Sequence, residues 1–190
     1  MRAAVSPSIP PVLYSQNDNP QGLSLNGQDY DVQFSTFSLQ EADDFTITGG
    51  QTWKLQQIDV AGVDHGPGVP FATVEIYADA GGVPGSEVAV AMRKPVAEVD
   101  GDLTIKLGTT GAITLGAGTY WLSVYSDMDF PTHAQWYWSA RSVQNGNPAA
   151  FQNPGNGWGY NCPSWSGMLT CVPDIGGPDL MFDLRGHLAG

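Results

Sequence analysis

The sequence predicts an all-β protein: an antiparallel β-sandwich of jelly-roll type built from eight to eleven short strands. Three observations point there. Period-two alternation of apolar and polar residues recurs along the chain. Clusters of Gly, Pro, Asn and Asp separate the alternating runs. No window carries apolar residues at i, i+3, i+4 and i+7 without an intervening Gly or Pro. With 190 residues and 42% apolar content, the chain is long enough to bury a two-layer core.

The elements follow in order. Residues 1–11, with Pro7, Pro10 and Pro11, read as an extended segment or linker, because each proline removes a ladder donor. Residues 12–190 read as one β-sandwich domain; if the N-terminal segment docks on a neighbour's sheet edge, its prolines weaken the ladder but Val12–Tyr14 can still pair there. In "TWKLQQIDVAGV", Trp53 and Leu55 share one parity while Ile58 and Val60 share the other. A β-bulge near Gln56–Gln57 would restore a single inward face. In "FATVEIYA", Val74 and Ile76 face opposite to Thr73, Glu75 and Tyr77. Leu103, Ile105 and Leu107 alternate in "DLTIKL", as do Tyr120, Leu122 and Val124 in "GTYWLSVYS" and Leu180, Phe182 and Leu184 in "DLMFDLRG". Each is a half-buried strand. In "AQWYWSA", Trp136 and Trp138 share one face, and Gln135, Tyr137 and Ser139 share the other. We read the two indoles as core; the rival is a concave tryptophan face left open for a sugar chain. Turns fall at "TGG", "HGPG", "DAGGVPG", "VDGD" and "GAG".

Several stretches taken together carry a resemblance: "EADDFTI", "GGQTWKLQQIDVAG", "VEIYADAGGVPGSEV", "LGAGTYWLSVYSDMDF", "QWYWSARSVQNGNPAAFQNPGNGWG" and "PDLMFDLRG". Over residues 12–186 the chain resembles a β-sandwich module found in secreted and surface-anchored bacterial proteins. The resemblance implies an extracellular, non-catalytic module and carries over no catalytic or binding residue.

Composition narrows the partners. Nineteen acidic residues face seven basic ones, for a net charge of −12. Nucleic acid and anionic membrane surfaces need clustered Lys and Arg and are excluded as expected partners. No apolar run approaches the ~18 residues of a membrane helix, so no membrane insertion is expected. The opening "MRAAVSPSIPPV" has no apolar signal-peptide region. Two cysteines, Cys162 and Cys171, at short spacing in a loop-like stretch read as one disulfide in an oxidising, extracellular or cell-surface compartment.

No catalytic motif is present. His65, His133 and His187 fall in no metal or hydrolase pattern, so a hydrolase is the least supported class. Acids at strand exits, Asp127 and Asp129 above all, are the candidate ligands of a structural Ca²⁺; Asp43–Asp44 and Asp100 with Asp102 are further pairs. Each pair also reads as solvated turn carboxylates. The stretch 145–171 lacks sustained alternation yet carries Phe151, Trp158, Tyr160 and Trp165 among Asn, Gln and Ser. Ring faces take the C–H faces of sugars and amides take hydroxyls, so these four rings are the candidate ligand surface. The competing reading has them cap an open end of the sandwich. The expected function is binding of a glycan or a cell or polymer surface. The alternative is a self-associating structural subunit whose N-terminal segment docks on a neighbour's sheet edge.

Overall fold

The alternating runs of the sequence are strands in the structure, a computed structural model that describes residues 8–189, except that the run at 179–186, read as one strand, is broken at Met181 into two strands of different sheets. The fold is all-β, largely antiparallel and sandwich-like. Ser8–Pro11 carry no regular structure, and residues 1–7 of the expected N-terminal segment lie outside the described residues.

The strands are β1 (Val12–Ser15), β2 (Pro20–Asn26), β3 (Gln28–Asp29), β4 (Gln40–Ile47), β5 (Trp53–Val60), β6 (Gly62–Asp64), β7 (Phe71–Asp79) and β8 (Pro84–Val99), followed by β9 (Asp102–Lys106), β10 (Ile113–Leu115), β11 (Gly118–Asp127), β12 (Trp136–Arg141), β13 (Ala150–Gln152), β14 (Ser166–Gly167), β15 (Asp179–Leu180) and β16 (Phe182–Leu188). Sixteen strands exceed the eight to eleven expected because six of them are only two or three residues long, too short to show a period. Among the described residues, helix is confined to the single turns α1 (Phe130–His133) and α2 (Met168–Cys171) and to 3-10 turns at Val32–Phe37 and Pro173–Ile175.

One long sheet runs β1-β16-β5-β9-β8-β7-β11-β4-β13-β14, with β10 on β5 and β3 parallel to β11. It folds back on itself at β8. Residues Pro84–Pro95 of that strand pair with β7, and Val96–Val99 pair with β9. The hairpin from β8 to β9 turns on Asp100 and Gly101, both at positive φ, the geometry a two-residue Asp-Gly loop provides. The two halves share one core: Leu55, Ile58 and Ile105 from one meet Phe45, Ile76 and Leu122 from the other.

The phase slip in β5 is a bulge. Arg185 opposes Gln57 while Gly186 opposes Leu55, which leaves Gln56 without a partner on β16. Leu55 and Ile58 are therefore both fully buried. The unpaired residue still has a use, since its carbonyl accepts the backbone N–H of Leu107 (2.8 Å).

A second, smaller sheet, β15-β12-β2 with β6 on β12, is built from the same runs. The chain leaves the long sheet at Ala61, between β5 and β6, and returns at Met181, between β15 and β16. The two crossings are bonded: Ala61 N–H donates to the Met181 carbonyl (3.2 Å). Trp136 and Trp138 point from β12 into the shared core and are fully buried. Their Nε1 groups donate to the carbonyls of Gly101 and Met181, both at 2.8 Å. Gly62 makes room for this, because a Cβ there would stand 2.4 Å from the Trp136 indole nitrogen.

Candidate functional site

Alternation along β12 sends Gln135 and Tyr137 to the face opposite the two core indoles. Asn26 of β2 opposes Tyr137, and Ser24 opposes Ser139, so these polar groups line one side of the small sheet. Segments far apart in sequence cover that side. In the 3-10 turn, Phe34 N–H donates to the Asp31 carbonyl (2.8 Å). Three residues per turn put Phe34 and Phe37 on one side of it. Phe130 opens α1 and meets Phe34 edge-on at 5.7 Å. Trp158 meets Phe37 edge-on at 5.3 Å, and its Nε1 donates to the Phe37 carbonyl (2.8 Å).

The loop carrying Trp158 is held from below by Asn153, which is fully buried. Its Nδ2 donates to the carbonyls of Thr36 (3.2 Å) and Ser38 (2.8 Å), and its own N–H donates to the Cys162 carbonyl (2.7 Å). Gly157 lets the loop lie against the 3-10 turn, since a Cβ would sit 2.6 Å from the Thr36 carbonyl oxygen. The expected disulfide is present: Cys162 and Cys171 are bonded, with Cα atoms 6.0 Å apart. Closing a loop of this size contributes about 2–3 kcal/mol in the chain-entropy estimate. The double variant Cys162→Ala/Cys171→Ala is expected to lose that much in urea denaturation. The oxidised protein should show no alkylatable thiol by mass spectrometry.

Two adjoining hollows result. One, of about 370 Å³, lies between Ser24, Asn26, Tyr137, Trp158, Tyr160 and Asp174. The other, of about 220 Å³, is lined by Tyr30, Phe34, Phe37 and Phe130. Gln135 and Trp158 line both and join them into one cleft. A hydrogen-bond chain fixes its polar groups: Tyr137 Oη donates to Gln135 Oε1 (2.8 Å), Gln135 Nε2 to Tyr30 Oη, and Tyr30 Oη to Asn26 Oδ1 (3.1 Å). Burial pushes the Tyr30 hydroxyl up to about 12 and raises that of Tyr137, so both stay protonated at neutral pH. Asp174 is the one carboxylate among the lining residues described, and no Lys, Arg or His lines the cleft among them.

The four expected ligand-binding rings separate. Trp158, 41% exposed, and Tyr160 share the cleft. Phe151 does not belong to it: it lies in β13, wholly buried and edge-on to Tyr160 at 5.3 Å, and offers no surface to a ligand. Its strand spans only three residues, which hid it in a loop-like context. Trp165 sits on another face, against Tyr77 at 5.5 Å, with Trp121, Ala42 and Ala150 packed nearby.

The acids named for Ca²⁺ have other partners. Asp127 pairs with Arg93 at 2.6 Å, and Asp129 meets His133 Nδ1 at 3.0 Å. Among the described residues no three His, Cys, Asp or Glu side chains converge to hold a metal ion. Asp43 and Asp44, also named, are buried structural groups, and Asp102 accepts the Gly62 N–H at 3.0 Å. Sequence reading missed Phe34, Phe37, Phe130 and Tyr30. The available signal was the three-residue spacing of Phe34 and Phe37 in a stretch without strand alternation.

Comparison of the chain with protein-family models, with curated proteins and with solved structures found no match.

Proposed function

We propose that this protein is a non-catalytic binding module for a neutral glycan of a cell or polymer surface, held in the cleft of Trp158, Tyr160, Gln135 and Tyr137. The observation that carries this reading is the pairing of an exposed indole with oriented amide and hydroxyl groups in one open trough. Indole and phenol faces suit the apolar faces of sugar rings, and the amides suit their hydroxyls. The disulfide fits an extracellular setting. No helix among the described residues is long and apolar enough to cross a membrane. Trp158→Ala is expected to abolish retention of the protein on an insoluble polysaccharide or in a glycan array. Because the ring is exposed, the same change should cost folding only about 1 kcal/mol or less. A Trp158 variant that folds and still binds would move the site elsewhere.

A second reading, a self-associating subunit, draws on β8. The outer edge of Pro84–Pro95 pairs with no strand among the described residues, and Val88, Val90 and Met92 are exposed along it. Such an edge can accept a strand from a neighbour. In this chain the N-terminal strand β1 is occupied on its own β16. Size-exclusion chromatography with negative-stain microscopy decides the matter: filaments would favour assembly, a monomer the binding module.

A further inference from the structure

We infer that the cleft selects sugars bearing an acylamino group, so that its ligand is an uncharged polymer containing N-acetylhexosamine. This rests on reading the cleft as a glycan site, and it follows from what stands at the junction of the two hollows. Gln135 is the polar side chain common to both. A primary amide offers two N–H donors and two carbonyl lone pairs. One donor is spent on Tyr30 Oη and one lone pair on Tyr137 Oη. Among the described residues the second donor and the second lone pair have no protein partner. An acetamido group can meet the donor: across its trans amide the C=O and N–H point in opposite directions, so its carbonyl accepts the free Gln135 N–H while its own N–H faces away from Gln135.

The third part of the group is its methyl, and the third feature of the junction is apolar. Phe34, Phe37 and Phe130 surround the smaller hollow next to Gln135, with the Trp158 ring as the shared wall. A plain hydroxyl at that position would satisfy the amide but leave these rings against water. Removing an acyl methyl from water against them adds favourable burial. The electrostatics agree. With Asp174 at one end, no cation among the described lining residues and a net charge of −12, a carboxylated or sulfated sugar would be repelled.

The test titrates the intact protein with three tetrasaccharides of equal length, followed by NMR or calorimetry at 0.15 M and 0.5 M NaCl. These are the β-1,4 tetramers of N-acetylglucosamine, of glucose and of glucosamine. The N-acetyl form is expected to bind at least about tenfold tighter than the glucose form, with little salt dependence. Phe130 is 41% exposed, so Phe130→Ala should fold. It should weaken the N-acetyl tetramer more than the glucose tetramer and so bring the two to within about twofold of each other; Phe34→Ala serves as the second variant. Trp158→Ala should weaken both neutral tetramers together. Equal affinity for the two neutral tetramers overturns the inference and leaves the glycan reading standing, as does a preference that survives both Phe variants. Glucosamine-tetramer binding equal to that of the N-acetyl form at 0.5 M NaCl also overturns it. Failure of all three tetramers to bind defeats the glycan reading itself.

Discussion

Replacing Trp138 by alanine is expected to destabilise the protein by about 3–5 kcal/mol, and Trp136→Ala by a similar amount. Both indoles are fully buried, with ring centroids 6.4 Å apart. Truncation removes their burial and leaves a cavity that close-packed neighbours refill only in part. It also orphans a buried acceptor, the Met181 carbonyl for Trp138 and the Gly101 carbonyl for Trp136. Against a total stability of roughly 5–15 kcal/mol, that loss threatens folding. Trp138→Phe restores most of the area but not the hydrogen bond, and is expected to cost about 1–2 kcal/mol. Urea denaturation of these variants beside Trp158→Ala makes the comparison. A Trp158 variant as unstable as the β12 variants would place that ring in the core.

Stability is expected to fall as pH rises from about 4 to about 8. Three wholly buried carboxyls set the direction. Burial raises Glu41 well above the usual carboxylate range, and neither of its oxygens has a hydrogen-bond partner. Burial, together with the charge of Asp179, likewise raises Asp43, although Gln16 Nε2 (2.6 Å) and the Leu180 N–H (2.7 Å) donate to it. Burial takes Asp179 from its ordinary 3.8 to about 6 despite the nearby Arg141 guanidinium. The folded protein therefore holds protons that the unfolded chain has released, and the stability this confers is lost as pH passes through the raised values. At about 1.4 kcal/mol per unit, Asp179 alone is worth roughly 1–3 kcal/mol across the window. Below about pH 4 the trend reverses. Asp79, held low by the Trp121 indole N–H, and Asp129, held low by Thr132 and His133, then take up protons. Thermal melts at constant ionic strength should give a higher Tm at pH 5 than at pH 8. Asp179→Asn and Glu41→Gln should flatten that slope. A wild-type Tm that climbs from pH 5 to pH 8 would contradict the assignment.

What the sequence made legible is local. Period-two runs located β5, β7, β9, β11, β12 and β16 but not β4 or the sixteen-residue β8, and the parity slip between Leu55 and Ile58 located the bulge. Both follow from the alternation of side chains across a pleat. The facing of Trp136 and Trp138 against Gln135 and Tyr137 was readable for the same reason. Sheet order was not, because it depends on pairings such as β5 with β16, which span most of the chain. The cleft was half legible. Trp158 and Tyr160 stood out as rings in a polar loop, whereas Phe34 lies in a turn far earlier in the chain and Phe130 in the turn that follows "DMD", with nothing local to tie either to Trp158. Asp43 and Asp44 looked like metal ligands since nothing local shows that β15 and the loop at Asn145–Asn147 cover them.

The antiparallel contact of β1 with β16 has a mechanical consequence. Val12 lies opposite Arg185 and Ser15 opposite Asp183, so the chain enters and leaves the described fold from the same end of one ladder. Tension applied through residues on either side would load that ladder like a zipper, one rung at a time, rather than in shear across all rungs together. β1 would peel first. With it would go Tyr14 and Gln16, which stand against Phe182 and Asp43, so a modest pull would admit water to the buried acids while the cleft on the small sheet stayed intact.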